Sequence, residues 1–282
     1  MESVELLAPA KINLSLDVIG QRENGYHDVR MVMQSISLAD QVRVTKKNQG
    51  ITITSNVANI PLNENNIAVK AWKTMAHNFH LSGGIQIHLE KRIPVEAGLA
   101  GGSSNAAAVL KAVNLLYDLR LPASNLAEIG QSLGADVAYC IEGGIALAEG
   151  IGEILTPLPT LPEAWMVLVN PGFGVSTKEV YQALNYQEVS HHPDTECLVQ
   201  AIKKGDWRTV ADQMVNVLEE VTVEKYPQVG EIKKALSDAG LFSLMSGSGP
   251  TVFGIAETKE KAIEAGKKMQ DQWKTVLLAH TV

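Results

Sequence analysis

The chain has few cysteines and no long apolar segment, and each shortage excludes a class of protein. Its 282 residues include two cysteines, Cys140 and Cys197, which lack the close spacing of a metal-binding pair. So small a number argues against a disulfide-stabilised secreted domain, and we expect two free thiols in a reducing compartment. No apolar run approaches the roughly 18 residues of a membrane helix. Residues 1–5 lack the basic segment and apolar core of a signal peptide, so we expect a cytoplasmic protein without a membrane partner.

Positive charge is also scarce. The 24 Lys and Arg residues are outnumbered by 31 Asp and Glu, which gives a formal net charge of −7, and the basic residues form no block. A nucleic-acid surface needs a basic stripe, so we expect no nucleic-acid partner. If the ligand is a polyphosphate, it must be attracted by local N–H groups, a few cations and a metal ion rather than by the overall field of the protein.

A glycine-rich segment, residues 94–108 (PVEAGLAGGSSNAAA), is the most informative part of the chain. Gly98, Gly101 and Gly102 allow the backbone to bend sharply and to approach a bound group. The alanine-rich run predicts a helix over residues 106–116. Ser103 and Ser104 are expected at its beginning, with hydroxyls that can cap free N–H groups or face a ligand. A glycine loop before a helix N-terminus is an anion site, and the usual anion is phosphate.

Two common phosphate loops do not fit this segment. A Walker loop requires Lys-Ser or Lys-Thr after its last glycine, and neither pair follows here. A dinucleotide loop requires G-x-G-x-x-G and an acidic residue about 20 positions later, and the glycines at 98, 101 and 102 lack that spacing. A tight strand-to-helix connection without a ligand remains an alternative.

Hydrophobic periodicity predicts a strand-rich first half and a mainly helical second half. In the first half we expect strands at 12–18, 42–44, 51–53 and 85–89, with helices over 65–80 and 124–133. In the second half we expect strands at 165–169, 242–245, 251–255 and 275–279, with helices over 178–184, 195–203, 207–218, 227–239 and 257–273. Three prolines at 157, 159 and 162 separate the halves. The prediction is an α+β protein with two domains, residues 1–160 and 161–282.

Polar residues recur along the first predicted strand. Lys11, Asn13, Ser15 and Asp17 share the face opposite the apolar residues. They form either a solvated strand edge or a set of groups that points into a cleft. In a cleft, lysine suits a place where negative charge develops, and asparagine can donate to a phosphate.

The motifs taken together resemble a known family. Residues 9–14 (PAKINL), 94–108 and 245–251 (MSGSGPT) have the order and spacing of the three motifs of the small-molecule kinases that include galactokinase, homoserine kinase and mevalonate kinase. The resemblance implies a two-domain GHMP kinase fold. That fold has a strand-rich N-terminal domain, a ferredoxin-like C-terminal domain and an active site in the cleft between them. Residues 25–27 (GYH) and 134–137 (GADV) make the chain most similar to members whose substrate is a cytidine diphosphate alcohol of isoprenoid biosynthesis.

The resemblance also implies roles for single residues. Lys11 and Asp136 match the catalytic lysine and aspartate. Tyr26 and His27 match the residues that hold the cytosine, with Tyr181 as the candidate for a second aromatic ring. Further substrate contacts are expected at Asn13 and Thr177, and Gly247, Ser248 and Gly249 form the glycine motif.

ATP and Mg²⁺ are the cofactors that the resemblance implies. Asn66 matches a residue near the adenine. The residues expected around the ATP phosphates are Pro94, Val95, Glu96, Ala97, Gly98, Leu99, Ala100, Gly101, Gly102, Ser103 and Ser104. Mg²⁺ is expected near Ser103 or Ser104.

Other functions remain open from the sequence. The chain can be a kinase of the same fold that acts on homoserine, mevalonate or a sugar, or a non-catalytic sensor that binds ATP. A dinucleotide-dependent oxidoreductase is disfavoured by the glycine spacing. Residues 188–194, which include His191 and His192, match no motif and are expected to form a solvated loop rather than a metal site. We expect a monomer or a homodimer.

Overall fold

The computed structural model describes residues 2–282, which form two compact units. The first unit contains residues 2–10, Leu38–Val95 and Ala100–Gly143, and the second contains Lys11–Ser37, Glu96–Leu99 and Gly144–Val282. Two long paired strands, β1 (Ser3–Gln21) and β2 (His27–Lys47), contribute residues to both units. Because the units are interleaved along the chain, the domain boundary near residue 160 stays a prediction.

In the first unit, a small sheet and four helices share a core. The C-terminal part of β2 pairs antiparallel with β4 (Gly84–Glu90), and β3 (Ile51–Ser55) pairs parallel with β4. The helices are α1 (Ile67–Asn78), α2 (Gly101–Leu116), α3 (Ala123–Gln131) and α4 (Ala135–Glu142). Helix α2 contacts the other three, and small buried residues such as Ala106 and Ala107 allow this close approach.

The second unit contains a four-stranded antiparallel sheet in the order β10 (Thr275–His280), β7 (Trp165–Asn170), β9 (Val252–Ala256), β8 (Phe242–Met245). Helices α9 (Pro227–Asp238) and α10 (Lys259–Gln270) contact this sheet. With α9 before β8 and α10 before β10, the order of elements is ferredoxin-like, as the sequence resemblance implies.

The second unit also contains the C-terminal part of β1, the N-terminal part of β2 and several shorter elements. β2 pairs antiparallel with β5 (Ile145–Glu149), which pairs with β6 (Ile154–Pro157). Four helices follow β7: α5 (Thr177–Ala183), α6 (Thr195–Lys204), α7 (Trp207–Asp212) and α8 (Leu218–Lys225). Across residues 2–282, no helix has the length and apolar character needed to cross a membrane.

The prediction of one continuous helix over residues 207–218 is wrong, because α7 ends at Asp212 and α8 begins at Leu218. The chain leaves the helical path between α7 and α8, where the buried side chain of Asn216 donates to the carbonyls of Met245 (2.8 Å) and Gly247 (2.7 Å). An asparagine that bonds backbone groups outside its own helix offers the chain an alternative to the helical ladder. Helix α4 was also missed, because its small residues after Gly134 suggest a turn.

Candidate active site

The polar face of β1 is buried, so the alternative of a solvated edge is wrong. Lys11 is 5 % exposed, and Asn13 and Ser15 are fully buried. The ammonium of Lys11 donates to Asn13 Oδ1 at 2.7 Å, and among residues 2–282 no carboxylate pairs with it. Burial of an ammonium is costly unless charged and hydrogen-bonding partners surround it. This site therefore fits an anionic ligand that supplies the missing partner.

Two glycine-containing loops of the second unit contact each other beside Lys11. Gly98 has φ +75°, and a Cβ there would lie 2.1 Å from the carbonyl oxygen of Ser246. The Ser246 hydroxyl donates to the Gly98 carbonyl at 3.0 Å. A Cβ on Gly247, which has φ +57°, would lie 3.5 Å from Lys11 Nζ. Only glycine fits this approach, so the phosphate loop and the glycine motif are brought together next to the buried cation.

The glycine motif is held from behind by side chains that the sequence motifs did not identify. Asn216 accepts from the N–H of Leu218 while it donates to the carbonyls of the motif, and Thr222 Oγ1 donates to the Ser248 carbonyl at 3.2 Å. The Thr177 and Ser248 hydroxyls lie 2.9 Å apart, which places the predicted substrate contact Thr177 against the motif. The apolar residues keep helical spacing through residue 218, so hydrophobic periodicity gives no signal of the role of Asn216.

In the first unit, α2 begins at Gly101 rather than after the two serines. Ala100 precedes it in the left-handed conformation, and no side chain caps the helix. The capping role expected of Ser103 and Ser104 is therefore wrong, because both already lie inside the first turns. The first helical bond runs from Ser104 N–H to the Ala100 carbonyl at 2.9 Å. The N–H groups of residues 101–103 thus lie outside the helical ladder, as donors for an anion.

Three helix N-termini meet around one apolar side chain, Ile67, at the start of α1. A Cβ on Gly102 would lie 3.7 Å from Ile67 Cγ2, and a Cβ on Gly134 would lie 3.6 Å from Ile67 Cδ1. The N-termini of α1, α2 and α4 therefore converge. Asp136 lies in the first turn of α4, half-buried. The positive ends of helix dipoles favour phosphate and stabilise a carboxylate.

Asn66 caps α1 within the same region. Its Oδ1 accepts from the N–H of Ala68 at 2.9 Å, and its Nδ2 donates to the Pro61 carbonyl at 2.7 Å. These bonds fix the segment that enters α1. Contact of this region with adenine stays a prediction.

A buried ion pair supports the start of α2. The Asp40 carboxylate accepts from the Lys91 ammonium, from Asn105 Nδ2 at 2.8 Å, and from the N–H groups of Arg92 (2.7 Å) and Ile93 (2.9 Å). A Cβ on Gly101 would lie 3.1 Å from Lys91 Nζ. The sequence motifs did not identify this cluster, since its members lie at distant positions without a shared pattern.

An aromatic cluster surrounds His27 in the second unit. The Tyr181 ring lies 5.3 Å from the His27 ring, centroid to centroid, and the Tyr186 ring lies edge-on at 6.5 Å. Burial lowers the pKa of His27, which favours the neutral imidazole with one donor and one acceptor. Tyr26 is 60 % exposed next to it. The structure thus brings the predicted residue Tyr181 to His27 and adds Tyr186, which sequence reasoning missed.

The oxygen donors near the helix N-termini fit a magnesium ion that arrives with a triphosphate. Among the described residues, no three His, Cys, Asp or Glu side chains are grouped as a complete metal site. Mg²⁺ at nucleotide sites is typically held by one or two carboxylates, phosphate oxygens and water. Asp136 and the hydroxyls of Ser103 and Ser104 are donors of the required kind.

Two family models match the chain. The model of the GHMP kinases N terminal domain matches residues 66–144, and that of the GHMP kinases C terminal matches residues 198–275. A 4-diphosphocytidyl-2-C-methyl-D-erythritol kinase of Lachnospira eligens is 49% identical over 265 residues, which cover 93% of this chain and 92% of that protein. The kinase of the same name from Alkaliphilus metalliredigens is 46% identical, over 100% of this chain and 97% of that protein.

This chain belongs to the 4-diphosphocytidyl-2-C-methyl-D-erythritol kinase family. It is an α+β protein of the two-domain GHMP kinase fold. A crystal structure of a 4-(cytidine 5'-diphospho)-2C-methyl-D-erythritol kinase matches with a TM-score of 0.84 and 34% identity, covering 99% of both chains. Homoserine kinase from Cytophaga hutchinsonii matches with a TM-score of 0.79 and 20% identity, over 100% of this chain and 95% of that chain. The second match shows the shared fold alone.

Proposed function

We propose that this chain transfers the γ-phosphoryl group of ATP to the 2-hydroxyl of 4-diphosphocytidyl-2-C-methyl-D-erythritol, in the non-mevalonate route to isoprenoid precursors. Relatives of that name match nearly the whole chain. The observation in this molecule that supports the substrate is the aromatic cluster at His27. An aromatic platform suits a nucleobase, whereas homoserine, mevalonate or a sugar has no aromatic ring to stack on it.

Phosphoryl transfer requires alignment and charge compensation more than covalent chemistry. The N–H groups of residues 101–103 bind phosphate oxygens, because they stand outside the helical ladder of α2. Lys11 compensates charge on the transferring group, because its buried ammonium has one neutral partner. Asp136 orients the attacking hydroxyl and accepts its proton. Mg²⁺, held by phosphate oxygens with Asp136, Ser103 or Ser104, would add charge compensation when bound.

The substrate end of the site is assigned to the second unit. His27 binds the edge of the cytosine as a neutral imidazole, and Tyr181 and Tyr26 hold its faces. Asn13 and Thr177 contact the remainder of the substrate, Asn13 because it lies beside Lys11 and Thr177 because it lies against the glycine motif.

We further propose a cytoplasmic enzyme, monomeric or homodimeric, without a nucleic-acid partner. Two observations support this: Cys140 and Cys197 are not joined by a disulfide, and the net charge is −7. Sedimentation velocity would establish the oligomeric state.

The experiment that tests the proposed function is an assay of ADP release with ATP, Mg²⁺ and one of four alcohols. These are 4-diphosphocytidyl-2-C-methyl-D-erythritol, homoserine, mevalonate and galactose. We expect release with the cytidine compound alone. Asp136→Asn should lower kcat by about 100-fold or more while ATP binding persists. Release with another alcohol would refute the substrate, and near-normal turnover of Asp136→Asn would refute the role of that carboxylate.

A further inference from the structure

The segment between α5 and α6, residues 184–194, is attached to the strands that carry the substrate residues. We call it the α5–α6 segment. It has no helix or strand, and its residues 188–194 were expected from the sequence to form a solvated loop. His192 Nδ1 lies 2.7 Å from Asp17 Oδ1, a contact that joins residues 175 positions apart. The side chain of Asp17 is 11 % exposed and that of His192 is 48 % exposed. A surface histidine is thus held by a largely buried carboxylate of β1.

The same segment contacts the aromatic cluster at its other end. Tyr186 lies edge-on against His27, and Tyr181 stands just before the segment on α5, also against His27. Beyond the segment, Glu196 in the first turn of α6 pairs with Arg30 of β2 at 2.5 Å. Two contacts therefore hold the segment itself, Tyr186 on His27 and His192 on Asp17, and two more, from Tyr181 and Glu196, hold the helices at its two ends.

We propose that Asp17 is a positioning residue for the cytidine site, and that it acts through His192. The inference rests on the proposed function and extends it to residues outside the family motifs. Asp17 is the last residue of the buried polar face of β1 that begins with Lys11. It has no direct role in the phosphoryl transfer proposed above. Holding an irregular segment in one geometry costs conformational entropy, and side-chain contacts must offset that cost. Loss of one such contact should therefore loosen the segment. The Asp17–His192 contact fixes the segment, and the segment fixes Tyr186 against His27.

The test compares two neighbouring histidines. In the intact enzyme, His192→Ala should raise the KM of the cytidine substrate about 3- to 10-fold, as expected for loss of one partly exposed charge-assisted hydrogen bond. The kcat and the KM of ATP should stay within about 2-fold, because neither Lys11 nor the phosphate loop is touched. His191→Ala is the matched control: it removes an exposed histidine one position away and should leave all three constants unchanged.

Two further variants separate positioning from general loosening of the fold. His192→Asn should restore most of the KM, because its amide N–H can occupy the position of Nδ1. Asp17→Asn combined with His192→Ala should cost no more than His192→Ala alone if both act through one contact. Calorimetric titration with cytidine diphosphate should reproduce the KM changes as changes in Kd.

The outcomes distinguish this inference from the proposed function. If the wild-type protein turns over the cytidine substrate and His192→Ala behaves like His191→Ala, the inference is overturned while the function stands. If His192→Ala lowers kcat and Tm together without a selective KM effect, the contact is structural and the inference is also overturned. If the wild-type protein neither binds cytidine diphosphate nor turns over the substrate, the proposed function fails, and the inference with it.

Discussion

Two lysines are buried in this molecule, one in each unit, and their surroundings differ. Lys11 is 5 % exposed and donates to one neutral oxygen, Asn13 Oδ1. The Lys91 side chain is 6 % exposed, pairs with the buried carboxylate of Asp40 and also donates to Asn105 Oδ1 at 3.0 Å. Lys91 is therefore compensated within the protein, whereas Lys11 lacks an ionic partner.

This difference separates a structural cation from one available to a ligand. Desolvation of an ammonium opposes folding, and a carboxylate with further hydrogen bonds offsets that cost. At Lys91 the offset comes from Asp40, which also binds the backbone of residues 92 and 93. At Lys11 the remaining N–H donors lie beside the two glycine loops. Both lysines are buried, so burial alone does not distinguish them. The absence of an ionic partner does, and it marks Lys11 as the lysine that a ligand can engage.

The largest effect that we expect is on stability, which should be lost on substitution of Lys91 but not on substitution of Lys11. Lys91→Met leaves Asp40 buried without its cation and should lower the free energy of unfolding by about 3–5 kcal/mol. Lys11→Met removes an uncompensated charge and should leave Tm unchanged or raise it. Differential scanning calorimetry of both variants at pH 7 measures this contrast. Equal losses of Tm would show that the two environments do not differ as described.

A smaller loss of stability is expected when a substitution pushes apart the two loops beside Lys11, which contain Gly98 and Ser246. Gly98→Ala places a methyl group against the Ser246 carbonyl and strains a residue with φ +75°, which should destabilise the protein by about 1–3 kcal/mol. It should also raise the KM of ATP. The control is Gly240→Ala, where φ is +79° and nothing lies within 4 Å of the new Cβ. If both variants leave the KM of ATP unchanged, the contact between the loops does not shape the phosphate site.

The smallest expected effect is a pH dependence of Tm that comes from His27, whose neutral form is favoured by burial. Burial lowers its pKa in the folded state, so the unfolded chain binds the proton more readily. The stability from the neutral ring is present above the ordinary histidine value of about 6.5 and is lost as the pH falls below it. Tm should therefore fall more between pH 7.5 and 5.5 for the wild type than for His27→Gln. Parallel curves would contradict this account of the imidazole.

The sequence predicted the order of elements well and the buried polar contacts poorly. Short apolar runs located β3, β4, β7, β8 and β10. Of these, β4 alternates between buried and half-buried residues, whereas β7 is buried on both faces. The motifs located Lys11, Gly98, Asp136 and His27. Asp40, Asn216 and Tyr186 were missed because their partners lie far away in sequence. The early start of α2 was missed because Ala100 adopts a left-handed conformation that favours glycine.

We propose that Lys11, which has no ionic partner among residues 2–282, acts on the transferring phosphoryl group. The most direct measurement is the single-turnover rate of phosphoryl transfer from ATP to 4-diphosphocytidyl-2-C-methyl-D-erythritol, for the wild type, Lys11→Met and Lys91→Met, at a temperature where all three are folded. We expect Lys11→Met to be slower by about 10²- to 10³-fold and Lys91→Met by less than about 10-fold. A rate for Lys11→Met close to that of the wild type, or equal losses in both variants, would contradict it.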